Sequence, residues 1–408
     1  MKIVFLIHNV YGVGGTIRTT LNLAATLADT HQVEIVSMFR HRDTPRFAID
    51  ERIRVIPLVD LRPNSPDLDD PHIDQLAEVF PREEKRHRQY SRLNDLRIER
   101  YLRASDADVL IGTRPGVNVY LARFGPRRAV RVAQEHLTHD AHSKRLRTVL
   151  AHHYRKLDAV VTTTEADAAV YRSRMKLPGV HVAGIPNSVP EPGISPADGT
   201  AKVIAAAGRL TRSKRFDLVI DAFADVAAKH PDWSLRIYGE GAEKARLQEL
   251  VDHQGLSTRV ALLGFRSPIE AEFAQASIVV SASDAESFGM TLVEAMRVGV
   301  PVVSTNCPLG PAEIIQDRVD GRLVPTDDRE AMAAALLELV DDDTQRRQMG
   351  QAALRSAHRF DPDHIAALHE NLFAHLRATR SARGRARSRA MWRGRARRLI
   401  RRLRRLGP

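Results

Sequence analysis

The chain has 408 residues, with 62 Lys+Arg against 50 Asp+Glu for a formal net charge of +12, and 43% hydrophobic residues. That length predicts two or three domains with sizeable cores, and the composition excludes a mainly disordered or collagen-like chain. The single cysteine, Cys307, can form neither an internal disulfide nor a structural zinc site, so a reducing compartment is expected, and no run of eighteen apolar residues is present to span a bilayer.

Strands alternate with amphipathic helices along the chain. The opening run Ile3-Val4-Phe5-Leu6-Ile7 is too short for a signal-peptide core; residues 2–8 read as a strand and 16–28 as a helix. Strands are expected at 32–38 and 53–58, then a polar, proline-dotted insertion at 60–71 and a charged helix at 82–105. Further strands at 108–113, 129–134 and 159–163 are separated by helices at 116–122 and 142–156. Residues 187–200 hold three prolines and two glycines and read as a linker between an N-terminal domain, 1–186, and a C-terminal domain, 201–361. In the second domain strands are expected at 202–207, 234–238, 259–263, 278–281 and 301–305. Helices are expected at 216–229, 242–253, 268–274 and 291–298, and from residues 312 and 328. A closing helix at 362–376 ends the ordered part. The expected class is α/β, two doubly wound Rossmann-like domains whose strands present their carboxyl ends to a shared crevice.

Two charged clusters follow strand ends in the second half. The first is Gly208-Arg209-Leu210-Thr211-Arg212-Ser213-Lys214-Arg215. A glycine at the end of a strand permits a sharp turn, after which Arg209 and Lys214 can grip a diphosphate. Solvated cations at a helix start are the plain alternative, although positive charge there opposes the helix dipole. The second cluster runs from Ser283 to Met296. It places the amides of Gly289, Met290 and Thr291 at a helix start as an anion site, with Glu286 before the helix and Glu294 inside it. Glu294 suits a ribose diol, and Glu286 suits the group that leaves the diphosphate; a capping acid and a surface carboxylate are the plain alternatives.

These clusters, with Val300-Pro301-Val302-Val303 and Gly310-Pro311-Ala312-Glu313-Ile314-Ile315, resemble family 4 of the retaining glycosyltransferases, over the chain up to about residue 376. The resemblance implies the GT-B fold. It implies that Arg209 and Lys214 hold the donor diphosphate, that Glu294 binds the ribose and that Phe265 meets the nucleobase. Glu286 and the backbone at Phe288 and Gly289 would contact the transferred sugar. In the first half it gives the Gly12-Val13-Gly14-Gly15-Thr16 turn an approach to the donor phosphates, through Gly14 and Gly15. It gives a cleft histidine at His136 a contact with the sugar, with His139 and His142 as rivals, and it places a hinge at Asn187. A dinucleotide-binding oxidoreductase is the competing reading of the glycine turn, but the third glycine of G-x-G-x-x-G would fall at Ile17. Arg215 stands where many members have glycine. No metal-binding aspartate pair of the D-x-D type falls near the expected cleft, so neither a metal nor any other cofactor is expected beyond the nucleotide-sugar donor, and helix amides with Arg209 and Lys214 would neutralise the leaving group.

The last 32 residues carry fourteen arginines and no acid, so the preceding 376 sum to −2. Residues 377–389 read as a flexible tether. Residues 391–406 read as a basic amphipathic helix, with Trp392, Ala396, Leu399, Ile400, Leu403 and Leu406 on one stripe, suited to an anionic membrane surface. An unstructured solubilising tail and a nucleic-acid-binding arm are the alternatives, the latter disfavoured by the apolar periodicity. The expected function is a cytoplasmic, metal-independent, retaining hexosyltransferase, peripheral on the inner membrane face. It would move a sugar from a UDP or GDP donor to a lipid-linked or anionic cell-envelope glycan. A nucleotide-sugar-binding protein without turnover, and a nucleic-acid-associated protein, are the other classes weighed.

Overall fold

The computed structural model describes residues 1–404, with side chains as far as Trp392. It divides the chain into two units: Met1–Ile185 together with the segment from Ile365 onward, and Pro186–His364.

In the first unit seven strands form one parallel sheet in the order β3-β2-β1-β4-β5-β6-β7. They are β1 (Lys2–Ile7), β2 (Gln32–Arg40), β3 (Arg54–Asp60), β4 (Val109–Gly112), β5 (Val130–Glu135), β6 (Ala159–Thr162) and β7 (His181–Gly184). The near-continuous apolar runs of β1 and β4 are what a sheet covered on both faces requires. Ile3 and Phe5 pack on one face, against Leu23 of α1 (Gly15–Leu27) and against Phe373. Val4 and Leu6 pack on the other, against Leu93 of α2 (Arg92–Ala104) and Tyr120 of α3 (Pro115–Phe124). Two more helices, α4 (Lys144–Tyr154) and α5 (Glu165–Arg174), complete the crossovers.

The second unit repeats the plan with six parallel strands in the order β10-β9-β8-β11-β12-β13. In chain order it runs β8 (Val203–Ala207), α6 (Phe216–Lys229), β9 (Ser234–Tyr238), α7 (Lys244–His253), β10 (Val260–Leu262), α8 (Glu270–Phe273) and β11 (Ile278–Ser281). It continues α9 (Met290–Met296), β12 (Val302–Thr305), α10 (Pro311–Ile314), β13 (Gly321–Val324), α11 (Arg329–Asp341) and α12 (Asp343–Ala357). The start of the expected linker is part of this unit's packing: Val189 is fully buried, and its N–H donates to Phe360 O at 3.0 Å. Helix α13 (Pro362–Ala378) returns to the first unit, where Ile365, Leu372, Phe373 and Leu376 join the core beneath α1.

Two expectations are corrected, and some elements appear that were not expected. The helix expected at 82–105 begins only at Arg92: residues 82–91 are irregular apart from a short turn at His87–Gln89, and the Ser91 N–H donates to Asn94 Oδ1 at 2.9 Å in a capping box. Elements β7, α5, β13 and α12 were not expected; α5 and α12 are too polar to show a clear apolar face, and β7 is only half-buried. The tether expected at 377–389 is helical, as the end of α13 and the start of α14 (Arg380–Arg404). Its arginines dock instead of floating. Arg383 Nη1 donates to the buried carboxylate of Asp158 at 2.7 Å, Arg387 Nη2 to Gly179 O at 3.1 Å and Arg380 Nη2 to Arg128 O at 2.6 Å. The apolar stripe expected over 391–406 lies, beyond Trp392, outside the described side chains. Among the described residues no helix is long and apolar enough to cross a membrane.

Candidate active site

Doubly wound sheets bind ligands where the strand order reverses, because adjacent loops there diverge to opposite faces. In the second unit that point lies between β8 and β11, which pair at Ile278–Ile204 and Val279–Ala205. The loop after β8 carries Gly208 to Arg215, and the loop after β11 carries Ser283 to Gly289. Lys214 Nζ is hydrogen bonded to Glu286 Oε1 across that gap, and Ser283 Oγ donates to the same oxygen at 2.8 Å. The Asp284 N–H donates to Ser213 O at 2.9 Å, so the two loops are also joined by backbone.

Two close approaches fix this arrangement. A Cβ on Gly239, which follows β9 at φ 150°, would lie 1.8 Å from Gly208 O; one on Gly310 would lie 1.8 Å from Phe288 O. Only glycine lets the backbones come this near. The Leu309 and Gly310 N–H groups both donate to Glu286 O, at 3.0 and 3.1 Å, which holds the Glu286 backbone from the β12 side. Neighbouring Cys307 is buried, and burial, reinforced by the Glu286 charge, pushes its thiol up to about 11, so it is neutral.

The other expected residues lie on loops and helices that follow strands of the same sheet. Arg209 is exposed and holds no ion pair among the described residues. Arg215, where the resemblance expects glycine, sits in the left-handed region at φ 49°, a conformation that glycine adopts without strain. Its guanidinium is held by Asp327 at 2.8 Å, Asp217 at 3.3 Å and Asp284 at 3.4 Å. Glu294 is 4% exposed inside α9, so it is an enclosed carboxylate. Gly289 precedes α9 in the left-handed conformation, and Met290 and Thr291 open the helix; Phe288 is buried. Phe265 follows Gly264 after β10 and is 53% exposed, an aromatic face left open to solvent.

In the first unit the reversal lies between β1 and β4. Gly14 caps α1, and neither Gly14 nor Gly15 has a heavy atom within 4 Å of where a Cβ would be, so this turn is open on its outer side. His136 follows β5, its Nε2 is buried without a hydrogen-bond partner, and burial pushes its pKa down to about 4. Of its rivals, His139 is engaged, with Nδ1 2.9 Å from Asp140 Oδ1, whereas His142 Nε2, 3.4 Å from Glu135 Oε2, is likewise buried without a hydrogen-bond partner. Asn187 is 8% exposed at the start of the second unit.

Sequence reading missed a second histidine. His8 follows β1 with Nδ1 2.8 Å from Tyr90 Oη and Nε2 3.2 Å from Arg86 Nη1. Burial, then the charges of Arg86 and Arg114, push its pKa down to about 3. A neutral ring that accepts from Arg86 at Nε2 carries its proton on Nδ1 and donates to Tyr90. Only its position at the first strand's end could have flagged it, because Tyr90 and Arg86 are some eighty residues away in sequence. Among the described residues no group of three or more His, Cys, Asp or Glu could hold a metal ion.

Two family models match the chain. "Glycosyltransferase Family 4" matches residues 13–191, and "Glycosyl transferases group 1" matches residues 190–356. The chain is similar to an exopolysaccharide phosphotransferase of Streptomyces coelicolor, at 35% identity over 92% of this chain; it spans 41% of that protein's length. It is also similar to an uncharacterized glycosyltransferase of Haemophilus influenzae, at 25% identity over 85% of this chain and 93% of that one. Among solved structures it resembles Staphylococcus aureus TarM, as a point mutant in complex with fondaparinux, alpha-GlcNAc-glycerol and UDP. That likeness has a TM-score of 0.73 at 18% identity, over 91% of this chain and 100% of that one, and it speaks for the GT-B fold.

Proposed function

We propose, from the premise that this chain belongs to the group 1 and family 4 glycosyltransferases, that it moves a sugar from a nucleoside-diphosphate donor to an acceptor hydroxyl, with retention. The observation that carries the reading is the Lys214–Glu286 pair across the β8/β11 switch point, with unpaired Arg209 beside it. A cation and a carboxylate held together there, with a second cation free, suit the two ends of a bond about to break. The cations take the departing diphosphate, and the carboxylate accepts hydrogen bonds from the sugar.

In this reading Lys214 exchanges part of its contact with Glu286 for a phosphate oxygen when donor binds. Arg209 adds a planar fork that loses no protein partner in doing so. Negative charge developing on the leaving oxygen is stabilised by groups already in place, including the amides of Gly289, Met290 and Thr291. Glu294 receives the ribose diol and exposed Phe265 stacks on the base. Phe288 and Gly289 shape the sugar subsite through their backbone. His136, neutral at physiological pH, offers Nε2 to a sugar hydroxyl, and the Gly14–Gly15 turn contributes amides; both keep the roles that the family resemblance gives them.

UDP is the favoured nucleotide, since it is the one bound in TarM. The acceptor class is a cell-envelope glycan, lipid-linked or anionic, in keeping with the polymer chemistry in the Streptomyces relative's name. Residues 391–406 would hold the enzyme on an anionic leaflet at the cytoplasmic face. Calorimetric binding of UDP and GDP, with magnesium and with chelator, to wild type and Arg209→Ala tests the donor site. One nucleotide should bind without metal and weaken about 10- to 100-fold in the variant, the value of a charge-assisted hydrogen bond. Equal affinity in both proteins would refute the assignment.

A further inference from the structure

A second charged site lies in the first unit, on residues that the donor reading does not use. Helix α4 turns Leu146, Leu150 and Tyr154 into the core at i, i+4 and i+8. Its outward side bears Lys144, His152 and Arg155, with half-buried Arg147 at the flank of the core stripe. With His139 ahead of α4 and Arg174 at the end of α5, these residues line an open cavity of about 530 Å³. This is the volume of a small-ligand site.

Two features distinguish the cavity from a solvated helix face. Helix α4 begins with Lys144, Arg145 and Arg147 and has no acid in its first turn, so three cations face the positive end of the helix dipole. An anion at this place would relieve both. The guanidiniums are also positioned in advance: Asp140 Oδ1 accepts from Arg147 Nη1 at 2.8 Å and from Arg174 Nη1 at 2.6 Å. One carboxylate thus ties two helices together while most of the five donors on each guanidinium stay available. Arg155 donates only Nε, to Lys176 O at 3.1 Å. Lys144 is exposed and holds no ion pair among the described residues. Four cations therefore share one acid.

We propose that this cavity binds a phosphate-bearing anion, gripped by the forks of Arg147, Arg155 and Arg174 and by the Lys144 ammonium. Phosphate esters reach such a site either as soluble groups, including those of an anionic polymer, or as lipid headgroups at a membrane. The chemistry is the same for both. The site is independent of the donor assignments, and its occupancy leaves the β8/β11 loops untouched.

The test compares wild type with the double variant Lys144→Ala/Arg155→Ala in the full-length protein, so that the arginine tail contributes equally to both. Both side chains are exposed, and the Asp140 tie is retained. Glycerol 3-phosphate is titrated calorimetrically, and phosphatidylglycerol vesicles are used in a sedimentation assay. Saturable binding of the soluble ester, weakened at least tenfold in the variant while Lys144→Arg keeps it, supports a soluble phosphate group. If the ester fails to bind but vesicle affinity falls at least tenfold in the variant, the phosphate belongs to a lipid. Equal binding by both proteins in both assays, or none to either, overturns the proposal. UDP affinity and melting temperature, expected unchanged, separate this outcome from failure of the donor site or of the fold.

Discussion

The two switch points are built differently. In the second unit the strands end in short loops whose backbones bond to one another and whose charges pair across them, Lys214 on Glu286 and Arg215 on Asp284, with Arg209 left free. In the first unit the long irregular segment after β3 contributes to the strand ends, where several polar groups bond to one another while His136 Nε2 stays buried without a partner. His8 engages Tyr90 and Arg86, Arg114 engages Glu84, and Glu135 engages Asn118 and Tyr154. The contrast teaches where a shared chemistry leaves its mark. A diphosphate needs the same few groups at the same spacing, so the second unit's loops read as motifs. The first unit's crevice is assembled from distant, chain-specific residues.

The largest test of this contrast is catalytic. Glu286→Gln keeps the shape of the loop but removes the charge paired with Lys214, and donor turnover should fall roughly 10²- to 10³-fold. The same assay on His139→Asn, whose ring is already engaged by Asp140, should show a far smaller loss. If the two variants lost activity equally, the distinction between the switch points would collapse.

Stability offers the next test. Gly310→Ala drives a methyl into Phe288 O and should cost the fold about 1–3 kcal/mol, read as a fall in thermal midpoint. Gly15→Ala places a methyl in open space at the start of α1 and should change stability by less than about 0.5 kcal/mol. A tolerated Gly310→Ala would mean that the β11 and β12 loops are looser than their backbone bonds imply.

Acid should separate the units. His8, His136 and His369 are all in the first unit, and burial is the main cause that pushes them down, to about 3, 4 and 4. A histidine held neutral in the fold binds its proton first in the unfolded chain. Its contribution is therefore complete above pH 6.5 and is lost as pH falls toward 4. Asp167, raised by burial to about 6, acts in the opposite direction between about pH 4 and 6, but it is one group against four, since burial also pushes His153 of the same unit down to about 4. Hydrogen exchange resolved by peptide should show the first unit losing protection before the second on acidification from pH 7 to 4.5. Simultaneous loss, or earlier loss in the second unit, would contradict this assignment.

The smallest effect concerns Arg215. Replacing it by glycine removes left-handed strain of about 1 kcal/mol and also removes exposed ion pairs worth about 0–1 kcal/mol each. The net change should stay within about 1 kcal/mol, measured by denaturant unfolding. A larger loss would show that the three aspartates around Arg215 hold the phosphate loop in place.

Much of this was legible in the sequence. Apolar runs such as Ile3–Ile7 and the alternation with helices announce covered parallel sheets, and the Gly208-Arg209 and Glu286-to-Glu294 stretches announce a charged crevice. Where pattern failed, the reason is local. The segment 82–91 has helical composition, but Ser91 and Asn94 start the helix later with a capping box. The arginines of 377–389 look like a solvated tether until the buried Asp158 carboxylate is seen, and its acceptor lies more than two hundred residues away in sequence.

What the sequence determined by itself was therefore the architecture and the charged loops at the second unit's strand ends, because short-range periodicity and local spacing carry both. What only the tertiary structure decided was partnership. Lys214 on Glu286, neutral His8 between Tyr90 and Arg86, two guanidiniums on Asp140 and the docked arginines of α14 all join residues from separate elements. Such pairs form because a folded chain brings charges within a few ångströms of one another, and where they are also taken from water, as at Asp158, leaving them unpaired is costly. No local pattern in a one-dimensional chain records that choice.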